Sequence, residues 1–408
     1  MTDGRPQRAI SRRGLLGAGA MAGIGAAAAV GLQWRAQDRR GAPAAPSKST
    51  DAAFADSRIA FAGAHQAGLT VDAQAYVRFA AFDLIAGADR DAVRRLMRTL
   101  TDDASALMDG RAPLGDQEPE MAYAPANLTV TVGVGPALMS LAAGKAAVPS
   151  WLAPLPAFGV DDLREEWSGG DLLVEVASDE PATVMHAARQ IAKDIRSIAS
   201  PRWVQDGFRN ARGAFASGTT MRNLFGQVDG TVNPVPGTAA FDAAVWISDG
   251  PLAGGTSLVL RRIRMDLDAW DRIDRTGREG SVGRFLSNGA PLTGVNEHDE
   301  PDFEAVDNLG FAIIPDYAHM RRARGGNSSP KIYRRGANYE IPARAGQTEA
   351  GLIFASYQAD PVAQYVPIQR RLDELDMLNE WTTPIGSAVF AMLPGAREGE
   401  RLGAALFN

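Results

Sequence analysis

The 408-residue chain contains no cysteine, which excludes disulfide scaffolds, zinc ribbons, iron–sulfur clusters and thiol nucleophiles. Histidine is almost as scarce. His65, His186, His298 and His319 are the only four, so imidazole chemistry has few places to sit. Neither a P-loop nor a GxGxxG segment occurs, and nucleotide chemistry has no foothold. Basic charge is in deficit. The 42 lysines and arginines against 48 acids leave a net −6, which argues against a nucleic-acid partner. What remains is ordinary. Apolar residues at 45% and charged residues at 22% describe a globular chain, not a coiled coil or a polytopic membrane protein. The length suggests two or three domains.

Charge is unevenly spread. Residues 1–45 carry seven arginines and two aspartates, and the rest of the chain carries a net −11. Within this leader, Ser11-Arg12-Arg13-Gly14-Leu15-Leu16 opens an uncharged stretch of 21 residues, 14–34, closed by Arg35. Such a stretch could just span a bilayer as an anchor, but six glycines and many alanines leave it only weakly apolar. The paired arginine resembles a twin-arginine export signal. The expectation is export through the twin-arginine translocation machinery to the periplasm, the cell envelope or the exterior.

Beyond the leader, short strands alternate with amphipathic helices. Leu128, Val130, Val132 and Val134 alternate with Thr129, Thr131 and Gly133, the period of a half-buried strand. A second strand is expected over 172–176. Val184, Ala188, Ile191 and Ile195 recur at helical spacing, which predicts a helix to about Ile198. A glycine-containing stretch at 211–220 separates two halves. The second half predicts a strand near 257–265, a helix near 267–273, a strand at 351–357 and a helix over 366–381. This order is too mixed for a doubly wound sheet and predicts an α+β fold, with helices over antiparallel sheets. The expected divisions are a signal and linker at 1–45, an N-terminal half at 46–220 and a C-terminal half at 221–408.

Four segments stand out chemically. Gly226-Gln227-Val228-Asp229-Gly230-Thr231-Val232-Asn233-Pro234 contains ordinary turn pairs. It also reads as an acid in a glycine-flanked loop that a ligand can approach closely. His319 ends the apolar run of Ile313-Ile314-Pro315-Asp316-Tyr317-Ala318 and is followed by Arg321 and Arg322. It could ligate a metal while the cations meet an anionic cofactor, although a lone histidine is more often a structural hydrogen-bonder. The pair in Ile332-Tyr333-Arg334-Arg335-Gly336 would ordinarily lie on a solvated face. On the last predicted helix, Ile368, Leu372, Leu375 and Leu378 form one stripe, with Asp373 nearly opposite and Asp376 at its margin. His298 sits in an acidic cluster, 296–302, whose spacing matches no defined metal motif and which reads as a solvated loop. His186 reads as structural.

Taken together, the segments resemble the dye-decolourising peroxidase family over about 60–395. The resemblance also draws on Phe61-Ala62-Gly63-Ala64-His65-Gln66-Ala67-Gly68, Thr131-Val132-Gly133-Val134-Gly135-Pro136, Gly254-Gly255-Thr256 and Phe354-Ala355-Ser356-Tyr357-Gln358. It implies two ferredoxin-like halves, with haem b mainly in the C-terminal half. It also implies His319 as the axial iron ligand, Asp229 as the distal acid–base and Arg334 as the distal cation, with Arg335 the alternative if the register slips by one. Arg335, Arg321, Gly230 and Thr231 would contact the cofactor, and Asp376 would stand behind the histidine. The Gln227-Val228 pair and the Arg321-Arg322-Ala323-Arg324 continuation depart from the family's usual residues. The activity implied is reduction of hydrogen peroxide through a ferryl intermediate, with one-electron oxidation of bulky organic donors such as dyes. Deferrochelatase activity, which releases iron from haem, is the alternative, as is a haem-binding or delivery protein with little turnover. The leader resembles that of the exported branch that accompanies bacterial iron uptake, which makes iron-uptake proteins candidate partners and leaves homo-oligomerisation open.

Overall fold

The computed structural model describes residues 54–326, 330–342 and 348–408; the leader lies outside the described residues. The first half runs β1 (Tyr76–Leu84), α1 (Arg90–Met108), β2 (Thr129–Val134), α2 (Pro136–Ala143), β3 (Leu172–Ser178), α3 (Pro181–Ile195) and β4 (Ala199–Phe208). The second begins with α4 (Ala239–Val245), β5 (Thr256–Met265), α5 (Leu267–Asp271), α6 (Arg275–Val282) and α7 (His319–Arg324). It ends with β6 (Tyr333–Arg334), β7 (Ala337–Pro342), β8 (Thr348–Gln358), α8 (Tyr365–Leu375) and β9 (Thr382–Met392).

The two halves share one topology. The first orders its strands β2-β3-β1-β4 and the second β7-β8-β5-β9, every neighbour antiparallel. Each is the strand order of a ferredoxin-like unit, as the family resemblance implied. The halves join reciprocally: β2 pairs with β9 at Gly133↔Met392, and β4 pairs with β7 at Phe208↔Asn338. Eight strands therefore form a closed ring, which removes the free sheet edges. The short β6 continues along the same side of β8 as β7, through Tyr333↔Tyr357.

Closure makes an inside and an outside, and strand alternation distributes residues between them. Phe79, Leu173, Leu258, Tyr339, Tyr357 and Phe390 fill the inside. On the outside of the first half, Val130, Val132, Val134, Val174 and Val176 pack against Leu96, Leu100 and Leu107 of α1 and Ile191 of α3. At roughly 1.5–3 kcal/mol for each large apolar side chain fully buried, this face is the main store of stability. Helix α1 starts where Asp89 accepts the Ala92 amide at 2.7 Å, and its apolar residues recur at three and four. The second half is covered differently. Beyond α8, its outer face lies under long loops held by small clusters such as Phe225, Trp270, Val282 and Leu378.

Periodicity located β2, β3, α3, β5 and β8 within a few residues. The helix expected over 366–381 is instead broken. It ends at Leu375, and Asp376 adopts an extended conformation before a short turn at Met377–Glu380. Asp373, placed opposite the apolar stripe, is also engaged, accepting the Gly159 and Val160 amides at 2.9 Å.

One buried acid adds a pH-dependent contribution to the stability of the fold. Burial of the Asp103 carboxyl on α1, with the charges of Asp194 on α3 and of Asp102, pushes its pKa from 3.8 up to about 7. A group whose folded-state pKa is raised stabilises the fold fully below its unfolded pKa, and that contribution is lost as pH rises through the folded value. The contribution of Asp103 to stability should therefore be lost between about pH 4 and 7. In Asp103→Asn, thermal scans should show a flatter profile and a higher melting temperature than the native chain at pH 8.

Candidate functional site

The candidate residues converge on the outer face of the second half. Asp229 lies on a hairpin-like loop whose turn is Asn223–Gln227. There Asn223 Oδ1 accepts the Phe225 and Gln227 amides, at 3.1 and 3.2 Å. Gly226 holds φ +79° and Gly230 φ +126°, a region that side-chain-bearing residues rarely occupy. The loop is pinned from two sides. Arg222 donates to the carbonyls of Gly226, Leu286 and Ser287. Glu297 Oε1 accepts both Thr220 Oγ1 at 2.6 Å and Thr231 Oγ1 at 2.9 Å.

Arg334 reaches this loop from β6. Its Nη1 donates to Asp229 Oδ1 at 2.8 Å, with both side chains partly exposed. Asn233 fixes the arginine's backbone with a two-point clamp: Nδ2 donates to the Arg334 carbonyl at 2.7 Å, and Oδ1 accepts the Arg334 amide at 3.0 Å. Asp229, Gly230, Asn233 and Arg334 line a small cavity of ≈ 20 Å³ together with Arg209 and Phe354. Burial, and then the nearby Arg335 charge, pushes the pKa of Arg209 down to about 10, with Tyr333 and Asp229 opposing the shift.

His319 is the first residue of α7, and its Nδ1 hydrogen-bonds Asp376 Oδ2 at 2.6 Å. The break after α8 makes this possible. Asp376 Oδ1 accepts the Leu378 amide at 3.0 Å, which leaves Oδ2 for the imidazole. Helices α7 and α8 are locked by exchange between Arg322 and Arg371, each Nε donating to the other's carbonyl at 3.0 Å. Asp376 is only 4% exposed against 34% for His319, so the carboxylate is enclosed while the ring opens outward. Burial lowers the His319 pKa, but the charge and hydrogen bond of Asp376 and the charge of Asp229 outweigh it, and the net shift is upward. Arg334 also acts on the imidazole, in the opposite sense. The two acids, the arginine and the histidine thus belong to one electrostatic unit.

Not every expected residue joins it. The Arg335 guanidinium points to the other side of the sheet, into contact with the Val71 carbonyl, Tyr333 Oη and Gln74 Oε1. Arg321 donates to the carbonyls of Phe303 and Ile314 and pairs with Asp316 at 2.9 Å, bracing the loops around α7. Thr231 lends its hydroxyl to Glu297. His186 hydrogen-bonds Asp116 at 2.9 Å. Asn233, Arg209 and Glu297 had no assigned role. Asn233 lies inside the Gly226–Pro234 motif and Glu297 inside the acidic cluster at 296–302, which is the one signal either has; Arg209 carries none.

A model of the DyP-type peroxidase N-terminal region matches residues 66–209, and one of the C-terminal region matches 220–397. The chain is 36% identical to a dye-decolorizing peroxidase of Thermobifida fusca over 96% of each chain. It is 35% identical to a deferrochelatase of Yersinia pestis over 83% of this chain and 82% of that one. A DyP-type peroxidase structure from Cellulomonas bogoriensis superposes with TM-score 0.85 at 46% identity, covering 88% of this chain and all of the other. Ferric DtpA from Streptomyces lividans gives 0.82 at 38% identity, over 87% and 98%. The chain belongs to the DyP-type peroxidase family.

The Asn233 clamp yields a prediction. Asn233→Ala strands the Arg334 amide and carbonyl, and an unsatisfied buried group costs roughly 1–3 kcal/mol. Denaturant titration should show a loss of about that size, with faster hydrogen exchange at the Arg334 amide.

Proposed function

We propose that the chain is a haem peroxidase that reduces hydrogen peroxide and oxidises bulky organic donors by one-electron steps. The observation that carries this reading is the Asp229–Arg334 pair at 2.8 Å, within electrostatic reach of an imidazole held by a buried carboxylate. The residues fit haem b. His319 Nδ1 is engaged by Asp376, while Nε2 has no protein partner among the described residues, so its lone pair is available to iron. A hydrogen-bonded carboxylate orients such a ligand and strengthens it as a donor. Bound haem supplies the redox-active iron at which the peroxide O–O bond is broken.

The protein's own contribution is to move a proton and to steady charge. Arg334 occupies Asp229 Oδ1, and Oδ2 has no protein partner among the described residues. That oxygen can take the proton from one peroxide oxygen and return it to the other, which becomes water. Arg334 is always cationic and meets the negative charge that develops on the departing oxygen. The division of labour predicts distinct losses. His319→Ala should lose most haem, while His65→Ala, His186→Ala and His298→Ala keep it, read from the Soret band. In stopped-flow mixing with peroxide, Asp229→Asn should slow the first step by about 10²–10⁴ and remove its acid limb. Arg334→Leu should slow it by about 10²–10³ and retain that limb. Native rates with an unchanged pH profile in Asp229→Asn would sink the assignment.

Deferrochelatase activity stands as a second reading, favoured by the 35% identity to proteins of that name. Metal-free porphyrin after incubation with haem would support it. For location, the Arg12-Arg13 leader supports export by the twin-arginine route. Replacing both arginines with lysine should hold the precursor inside the cell, scored by fractionation; normal export of that variant would argue for another route.

A further inference from the structure

A second concavity lies apart from the Asp229 cavity. It has a volume of ≈ 340 Å³, opens widely to solvent, and is lined by His65, Pro236, Gly237, Phe241, Asp242 and Trp246 among others. Its floor is aromatic and braced. The His65 ring lies on the Trp246 indole with centroids 3.7 Å apart and planes 6° apart, and His65 Nδ1 donates to the Gly254 carbonyl at 2.6 Å. Phe241 meets the same indole edge-on at 5.6 Å. At the rim, exposed Asp242 accepts the indole N–H through Oδ1 at 3.1 Å, and its second oxygen has no protein partner among the described residues. Among the described residues no lysine or arginine lines the concavity, and the chain beyond the leader carries a net −11.

An aromatic floor, one solvent-facing carboxylate and an open mouth suit one ligand class. We propose that this concavity docks planar aromatic cations, at a site separate from the one formed by Asp229 and Arg334. The attraction is local, through Asp242, and general, through the acidic surface that raises the concentration of cations around the protein. Phe241 also packs edge-on against Tyr333 at 4.9 Å, and Tyr333 immediately precedes Arg334. A ring docked here therefore shares one aromatic cluster with the strand that carries Arg334. On the peroxidase reading the ligand is an electron donor; the docking itself needs no peroxide.

The test titrates the haem-loaded protein, without peroxide, by equilibrium dialysis against methylene blue and, separately, against a sulfonated azo dye of similar size. One cationic dye should bind per chain, and the anionic dye should bind far more weakly. Asp242→Asn keeps the oxygen that accepts the Trp246 N–H but removes the charge. Gly237 has φ +82° and open space where a Cβ would stand, a conformation that asparagine tolerates, so Gly237→Asn narrows the mouth without touching the core. Each variant should weaken methylene blue binding by roughly tenfold. Native affinity in both variants, or equal binding of the two dyes, overturns the proposal. Because binding is read without peroxide, failure of the peroxidase reading would leave this result intact.

Discussion

Side-chain alternation along Tyr333-Arg334-Arg335 puts two identical guanidinium groups on opposite sides of one sheet. Arg334 faces outward, where Asp229 meets it. Tyr333 and Arg335 turn inward, where burial would be costly for a cation without partners. The Val71 carbonyl, Tyr333 Oη and Gln74 Oε1 supply those partners, and Glu175 adds an opposite charge nearby. A slip of one residue would exchange the two arginines and leave Asp229 facing the wrong strand position. The register is held at three points: Tyr333 opposite Tyr357 on β8, the Arg335 amide on the Ala355 carbonyl, and the Asn233 clamp on Arg334 itself.

The covering of the two sheets explains why one half carries the site although both share a topology. Helices α1 and α3 cover the outer face of the first sheet with a continuous apolar layer. The corresponding face of the second sheet has α8 at one side and loops elsewhere, and the apolar clusters under those loops are small. Loops without a large core of their own need polar fastening, and they have it. Arg222, Arg284, Glu297 and Arg321 each tie two or more segments together. Asp229 thus stands on a loop that is irregular in conformation yet fixed in position, as a site on a rigid scaffold requires.

The two carboxylates illustrate how environment separates chemically identical groups. Asp376 is enclosed, with one oxygen on a backbone amide and the other on His319. Its geometry suits orientation of a ring, not exchange with substrate. Asp229 is more open, shares one oxygen with Arg334 and keeps the other without a protein partner among the described residues. That arrangement suits a group that must gain and lose a proton.

The amino-acid sequence determined a good deal by itself. Period-two and helical spacing placed β2, β3, α3, β5 and β8, because burial of one face repeats at the period of the backbone. The glycines around Asp229 marked a loop that a ligand could approach, and the absence of cysteine excluded thiolate ligands for any metal. Three decisions belonged to the tertiary structure alone. Which arginine of the pair faces the cavity depends on the register of β6 against β8, which no local pattern encodes. The end of α8 at Leu375 depends on the hydrogen bonds that Asp376 makes to the Leu378 amide and to His319; helical periodicity carries no record of them. The bond from Glu297 to the threonines beside Asp229 joins segments 66 and 77 residues apart. An acidic cluster reads as solvated until the fold supplies the hydroxyls that it accepts.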